Sequence, residues 1–325
     1  MPKSFDICCV GHMCTDVLVK PADAFPDKGT LLLLDTAHLK TGGCGMNTAI
    51  GLKKLGGKVA MLGKVGKDGF GAFMRDTLVD HGVDITGLIM EEGGMTSVSV
   101  VLLGSDGERS ILHCLGTNQS LCYENVNLTL VSDARVLFIG GTFLMPSFDG
   151  MDAAKLLAYA RKKGCITAMD TAWDSTGRWL GVIEPCLAYL DWFMPSVEEA
   201  AKITGLSDPA EMAKFLKTRG VRNVVIKLGS VGCYVDANET FSLPSFDVDC
   251  IDTAGAGDAW CSGFLTGIVR GMGVRDAAEF GNAAGALCVT AIGTTDGLRG
   301  FDATMDFIQI TPYKKERPAQ QAEES

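Results

Sequence analysis

The chain is predicted to be an α/β protein: a mostly parallel sheet with helices on both faces, plus a small separate β-sheet. Three observations predict this. Short apolar runs alternate with segments of helical periodicity, glycines mark the junctions, and two stretches interrupt the alternation with strand-type patterning. Residues 5–11 (Phe-Asp-Ile-Cys-Cys-Val-Gly) form an apolar run closed by glycine, which reads as a buried strand. Residues 46–55 carry apolar groups at helical spacing and stop at Gly56-Gly57, a glycine C-cap. Residues 58–63 read as strand and 68–81 as helix. After residue 134 the alternation resumes with strand 135–140, helix 149–163 ending at Gly164, strand 165–170 and a helix near 178–188. Strand 191–194, helices 197–204 and 209–219, and strand 222–228 complete it.

The interrupting stretches have a different character. Residues 96–103 and 109–114, joined by Gly-Ser-Asp-Gly at 104–107, read as an antiparallel hairpin, with 13–19 and 30–35 as its candidate partners. The expected organisation is one domain over 1–310, a discontiguous β-lid at about 13–36 and 96–114, and a polar tail over 311–325. That tail carries two prolines and is expected to be frayed or docked on the surface.

Composition narrows the function. Of 325 residues, 47% are hydrophobic and 21% charged, as in ordinary globular chains. Lys plus Arg total 29 against 39 Asp plus Glu, a formal net charge of −10, which repels a polyphosphate backbone and tells against nucleic acid as a partner. No apolar run is long enough for a membrane helix, and the first ten residues are too weakly apolar for a signal peptide. Twelve cysteines without a CxxC pair, and four scattered histidines, point to free thiols in a reducing cytoplasm rather than to disulfides or zinc. Forty glycines, about 12% against roughly 7% on average, cluster at element junctions, where a ligand can approach the backbone.

Two segments carry chemistry. Asp252-Thr253-Ala254-Gly255-Ala256-Gly257-Asp258 precedes a stretch of helical periodicity, so its small residues stand where a helix begins. Successive amides can converge there on an anion, helped by the helix dipole. Asp258 in the first turn then faces that anion, where a carboxylate can take a proton from an attacking hydroxyl. The second segment, Thr41-Gly42-Gly43-Cys44-Gly45-Met46-Asn47-Thr48, opens the helix that ends at Gly56, and Asn47 offers both a donor and an acceptor to a hydroxyl. Neither GxxxxGK[ST] nor GxGxxG occurs, which excludes the Walker and dinucleotide fingerprints.

In this order, about 210 residues apart, the two segments resemble the paired signatures of the ribokinase (PfkB-type) carbohydrate kinase family. The resemblance covers nearly the whole chain and includes Gly63 through Gly71, Gly107-Glu108-Arg109 and Gly285 through Gly293. It implies a ribokinase-like fold whose β-lid covers a sugar acceptor, and transfer of the ATP γ-phosphate to a hydroxymethyl group. Asp258 would be the catalytic base and Ala254, Gly255, Ala256 and Gly257 the anion hole. Asp16, Gly42, Gly43 and Asn47 would bind the acceptor, and Gly229 and Asn282 would lie along the nucleotide. Glu199 would place Mg²⁺ through water, and Asp252 would ligate a monovalent cation such as K⁺, as in some members. An exposed lid-sheet edge would invite a second subunit.

Two positions depart from the pattern. The family's NxxE reads Ser196-Val197-Glu198-Glu199 here, and Ser-x-x-Glu is equally a capping box for helix 197–204. Lys227 stands where many members carry Thr, to pair with a phosphate or simply to project from a strand end. Outside the signatures, His12 reads as packed, His113 as either a lid contact to substrate or not, and Arg109 as stabilising a turn. Asp170 ends a strand where α/β folds place ligands, or caps the next turn. The alternatives to a sugar kinase are a nucleoside kinase of the same fold and a silent sugar-binding regulator. The lid segments 13–20 and 97–103 contain no aromatic residue to stack on a nucleobase, and Asp258 is present.

Overall fold

A computed structural model describes residues 3–105 and 109–314. The first half of the chain forms β1 (Phe5–Gly11), β2 (Cys14–Lys20), β3 (Thr36–Gly42), α1 (Cys44–Lys54), β4 (Val59–Gly66), α2 (Gly69–Asp80) and β5 (Asp84–Glu91). Next come β6 (Val98–Leu103), β7 (Arg109–Cys114), α3 (Leu128–Ser132), β8 (Ala134–Thr142), α4 (Met151–Lys162), β9 (Ile166–Thr171), α5 (Leu180–Leu187) and β10 (Trp192–Phe193). The second half continues with α6 (Val197–Thr204), α7 (Pro209–Thr218), β11 (Asn223–Lys227), β12 (Gly232–Asp236), β13 (Thr240–Pro244), α8 (Ala256–Arg270), α9 (Val274–Cys288) and α10 (Phe301–Ile310).

Nine strands form one sheet in the order β13-β12-β11-β10-β9-β8-β1-β4-β5. It is parallel from β11 to β5, and β12 and β13 add antiparallel edges. Strand β1 shows why its sequence is apolar without alternation. Cys8 and Val10 join the core on one face, with Leu156, Ile183 and Leu216 from α4, α5 and α7. Ile7 and Cys9 join the core on the other face, with Ile50, Leu78 and Phe264 from α1, α2 and α8. A strand buried on both sides has no polar face to show. The chain leaves β1 toward β4 on one side and reaches β8 on the other, so the sheet's switch point lies between β1 and β8. The start of α1 lies directly on this junction. A Cβ at Gly11 would collide with the Gly140 carbonyl oxygen and sit 3.0 Å from Gly45 Cα, so close approach requires glycine there.

The second sheet has the order β3-β2-β6-β7. β2 runs antiparallel to β3 and parallel to β6, and β6 pairs antiparallel with β7. The expected hairpin forms, although Asp106 and Gly107 of its turn, and Glu108, lie outside the described residues, as do 315–325 of the tail. The partner expected at 30–35 is instead 36–42, with Thr36 to Gly42 opposite Lys20 to Cys14. Residues 31–34 are four leucines in an exposed loop, with Leu31 and Leu33 each 82% exposed. Hydrophobicity alone misplaced that strand, because the register is set by β2 and the Gly42-Gly43 entry into α1. The start of the tail is docked: Tyr313 bridges to Phe246 and stacks on its ring at 4.9 Å. Sequence periodicity did not anticipate β5, β12, β13 or α9.

Candidate active site

The strand ends at the switch point face the start of α8, and that start is shaped by Gly255. Its φ of 74° is left-handed, and a Cβ there would collide with the Thr294 carbonyl oxygen. The turn leaves first-turn amides of α8 without helical acceptors. Within the expected cradle, the Ala254 amide donates to Asp252 Oδ1 at 2.8 Å and the Ala256 amide makes a longer bond to the Thr253 carbonyl at 3.3 Å, while its Gly255–Gly257 part leads directly into Asp258.

Asp258, one residue further on, is 8% exposed. Asn47 Nδ2 donates to its Oδ2 at 2.9 Å, while Thr294 Oγ1 donates toward Asn47 Oδ1 at 2.9 Å and the Thr41 carbonyl at 3.1 Å. The two signature segments thus meet through Asn47. One Asn47 N–H holds Asp258 and its oxygen accepts from Thr294, and the NH₂ group carries a second N–H besides. Burial raises the Asp258 carboxyl above the ordinary value, and the Asn47 hydrogen bond and the Lys227 charge only partly offset this.

Lys227, at the end of β11, is 9% exposed, and its ammonium lies 2.6 Å from Asp170 Oδ2 at the end of β9. Burial opposes the lysine's charge, but Asp170, with Cys261 and Glu199, outweighs burial and keeps it protonated. The Nζ is also 3.3 Å from where a Cβ of Gly257 would stand, so this cation is beside the cradle. Glu199 completes the cluster. Its Oε2 accepts from the Ser196 amide at 3.0 Å and the Thr171 hydroxyl at 2.9 Å, while Ser196 Oγ accepts from the Glu199 amide. The capping box read from the sequence is therefore real, and burial raises the Glu199 carboxyl as well. Two buried carboxylates, Asp170 and Asp258, and the half-buried Glu199 surround one buried ammonium, an excess of negative charge that suits a divalent cation arriving with a polyphosphate.

A cavity of about 220 Å³ adjoins the cluster. Lys227, Gly229, Thr253 and Gly257 form its polar end, and Phe246, Val248, Trp260, Ala286 and Val289 form apolar walls. Asn282 also lines this cavity, with its side chain bonded to the protein. Oδ1 accepts from Trp260 Nε1 at 2.8 Å, and Nδ2 donates to the Pro244 carbonyl at 3.0 Å.

On the opposite side stands the lid. Cys14 and Asp16 share one face of β2, and Ser99 is in register with both Asp16 and His113. Ser99 Oγ lies 3.2 Å from Cys14 Sγ and 3.0 Å from His113 Nδ1, so this end of the face is polar. Burial raises the Asp16 carboxyl. Gly42 lies against it, where any Cβ would strike the carboxylate, and Gly43 caps α1 with φ 90°. His12 is buried, as expected of a packed residue, yet neither of its ring nitrogens has a partner among the described residues. Burial, then His113, lower its pKa to about 3.

One contact was not visible in sequence. Arg109 of β7 forms an ion pair with Asp252, 143 residues away. The other Asp252 oxygen accepts the Gly293 amide at 3.0 Å. Burial opposes the Asp252 charge, but the Ala254 and Gly293 amides and the guanidinium together hold its carboxyl below the ordinary range. Both Asp252 oxygens therefore accept hydrogen bonds, Oδ1 from Arg109 and the Ala254 amide and Oδ2 from the Gly293 amide.

A nine-stranded ribokinase-like sheet, a polar lid and a carboxylate beside a helix-start cradle define a phosphotransferase with an alcohol acceptor. The comparisons agree: the pfkB family carbohydrate kinase model matches residues 4–299, and the chain belongs to that family. It is 29% identical over 324 residues to the 5-dehydro-2-deoxygluconokinase of Clostridium perfringens, covering 94% of each chain. The structure of Arabidopsis thaliana ribokinase complexed with ribose and ATP superposes with a TM-score of 0.82 over 95% of this chain and 99% of that one, at 21% identity. A ribokinase II from Escherichia coli, in complex with ATP and Mg²⁺, gives the same TM-score at the same identity over 94% and 99%. At such identities the structural likeness speaks for the fold.

Proposed function

We propose that the protein is an ATP-dependent sugar kinase that transfers the γ-phosphate to a hydroxymethyl group, through a single kinase domain over 1–310. The observation that carries this reading is Asp258, buried beside the Gly255–Gly257 cradle and held by Asn47 at 2.9 Å. Asp258 takes the proton of the acceptor hydroxyl, and the amides of Gly255, Ala256 and Gly257 receive the charge on the phosphoryl oxygens. Asp16, with Gly42 and Gly43 leaving room beside it, orients the sugar under the lid. ATP lies in the cavity between Gly229 and Trp260. Glu199 and Asp170 suit Mg²⁺, which when bound with ATP neutralises phosphate charge. The lid face of Cys14, Asp16, Ser99 and His113 offers hydrogen bonds and no Phe, Tyr or Trp ring for a nucleobase, which favours a sugar over a nucleoside.

The test is an ADP-release screen with sugars, sugar acids and nucleosides as acceptors. Stimulation by at least one sugar or sugar acid, and by no nucleoside, is the expected result. Sugar binding by calorimetry without ADP release would establish a silent regulator instead.

Arg109 supports a second expectation. Its guanidinium supplies the positive charge at Asp252, so turnover of the wild-type enzyme is expected to be equal in K⁺ and in a bulky organic cation. Arg109→Gln should lose roughly tenfold, the worth of a charge-assisted hydrogen bond of about 1.5 kcal/mol, and recover part of the loss on adding K⁺. A wild-type enzyme inactive without K⁺ would reject this assignment.

The lid edge at β3 and the leucines beside it support a homodimer formed through the lid sheet. Sedimentation should show a dimer, and Leu31→Asp/Leu33→Asp a monomer. Among the described residues no helix is long and apolar enough to cross a membrane. All twelve cysteines are free thiols, which fits a reducing cytoplasm.

A further inference from the structure

Three nitrogen and sulfur donors meet where the lid joins the large sheet. His12 follows β1, Cys14 opens β2 and His113 stands near the end of β7, and one ligand atom from each lies within 4.8 Å of the others. Cys14 Sγ is 4.0 Å from His113 Nδ1, and the two imidazole rings meet edge-on with centroids 5.4 Å apart. His12 is 4% exposed, and its two ring nitrogens have no hydrogen-bond partner among the described residues. Buried polar atoms are nearly always satisfied, so an imidazole held this way points to a ligand it meets. His113 is exposed and gives access from solvent. Ser99 Oγ, close to both lid donors, ties them to one another.

We propose that His12, Cys14 and His113 form a site for a zinc-class divalent cation that clamps the lid to the large sheet. The donor set decides the metal. Two imidazoles and one thiolate match the preferences of Zn²⁺, whereas Mg²⁺ takes oxygen ligands. Binding replaces the Cys14 S–H bond with a sulfur–metal bond and releases that proton to solvent. Three protein ligands leave a fourth position open. Asp16 Oδ1 lies 3.6 Å from Cys14 Sγ, so the metal stands beside the carboxylate that faces the acceptor space. His12 belongs to the large sheet's strand end and the other two ligands to the lid, so one ion joins two bodies that must otherwise part to admit a substrate. The site is defined by its donors and does not rest on the identity of the sugar.

The experiment uses the full chain freed of metal by a chelator. Zn²⁺ is titrated in competition with a chromophoric chelator, with Mg²⁺ as control, and Co²⁺ serves as the spectroscopic probe. The expected result is one equivalent of Zn²⁺ and none of Mg²⁺. The Co²⁺ form should show thiolate-to-metal charge-transfer absorption, and amide exchange in 98–103 and 109–114 should slow when Zn²⁺ binds. Cys14→Ser and the exposed-site variant His113→Ala, each checked for a cooperative melt, should lose the equivalent, the absorption and the protection together. Absence of a stoichiometric equivalent in the wild type overturns the proposal. So does an equivalent that survives both substitutions, which would place the metal on other thiols, or one that binds without slowing lid exchange.

Discussion

Asp258→Asn is expected to lower turnover on the order of 10²–10⁴-fold, the range for losing a positioned general base, while the protein melts no lower than wild type. The two halves of this result have separate causes. The asparagine keeps an oxygen for the Asn47 amide, which donates at 2.9 Å, so the packing at the start of α8 survives. The charge is what disappears. Burial raises the Asp258 carboxyl above its ordinary value, so its ionised form costs stability at neutral pH, and the neutral amide removes that cost. A coupled ADP-release assay and a thermal melt measure the two quantities. Wild-type-like turnover in the variant would end the mechanism.

The same shift fixes a pH dependence. A base acts only when deprotonated, so a raised carboxyl loses activity on the acid side at a higher pH than an ordinary aspartate. The acid limb of kcat/KM is therefore expected above the ordinary carboxylate range. It should be missing from whatever residual rate Asp258→Asn retains. An acid limb at the ordinary aspartate value would show that Asp258 is not the titrating base.

What was legible in the chain follows from where its information is local. The start of α8 was readable because Gly255 encodes a left-handed turn that favours glycine, directly ahead of a helical period. The buried strands were readable because β1 faces apolar cores on both sides. The antiparallel edge β12–β13 was not, since its half-exposed residues carry a weak pattern and its place is set by pairing with β11. The bond from Asn47 to Asp258 was not legible, because the amide's partner lies far along the chain. Arg109 illustrates the limit more sharply. Nothing local distinguishes a turn-stabilising arginine from one that reaches Asp252 across the cleft. Lys227 was flagged only as a departure, and its partner Asp170 only as a strand-end carboxylate, yet the two form one unit.

Lys227→Met is expected to destabilise the fold by about 3–5 kcal/mol, because it leaves Asp170 buried and unpaired. Asp170 is 2% exposed, and its Oδ2 otherwise faces only the Cys261 thiol, 3.4 Å away. Chemical denaturation measures the loss. The double variant Asp170→Asn/Lys227→Met removes both charges and should regain most of the stability, since a buried ion pair adds little over a neutral pair once desolvation is counted. Turnover separates structure from chemistry. The lysine ammonium lies against Gly257, where the phosphoryl group is proposed to sit, so the double variant should stay slow despite its recovered stability. If turnover returns together with the melt, Lys227 serves only to neutralise Asp170. If the single variant melts like the wild type, the pair is not closed in solution and the ammonium is free to meet phosphate directly. The informative quantity is therefore the activity remaining at matched stability, which the single substitution does not supply.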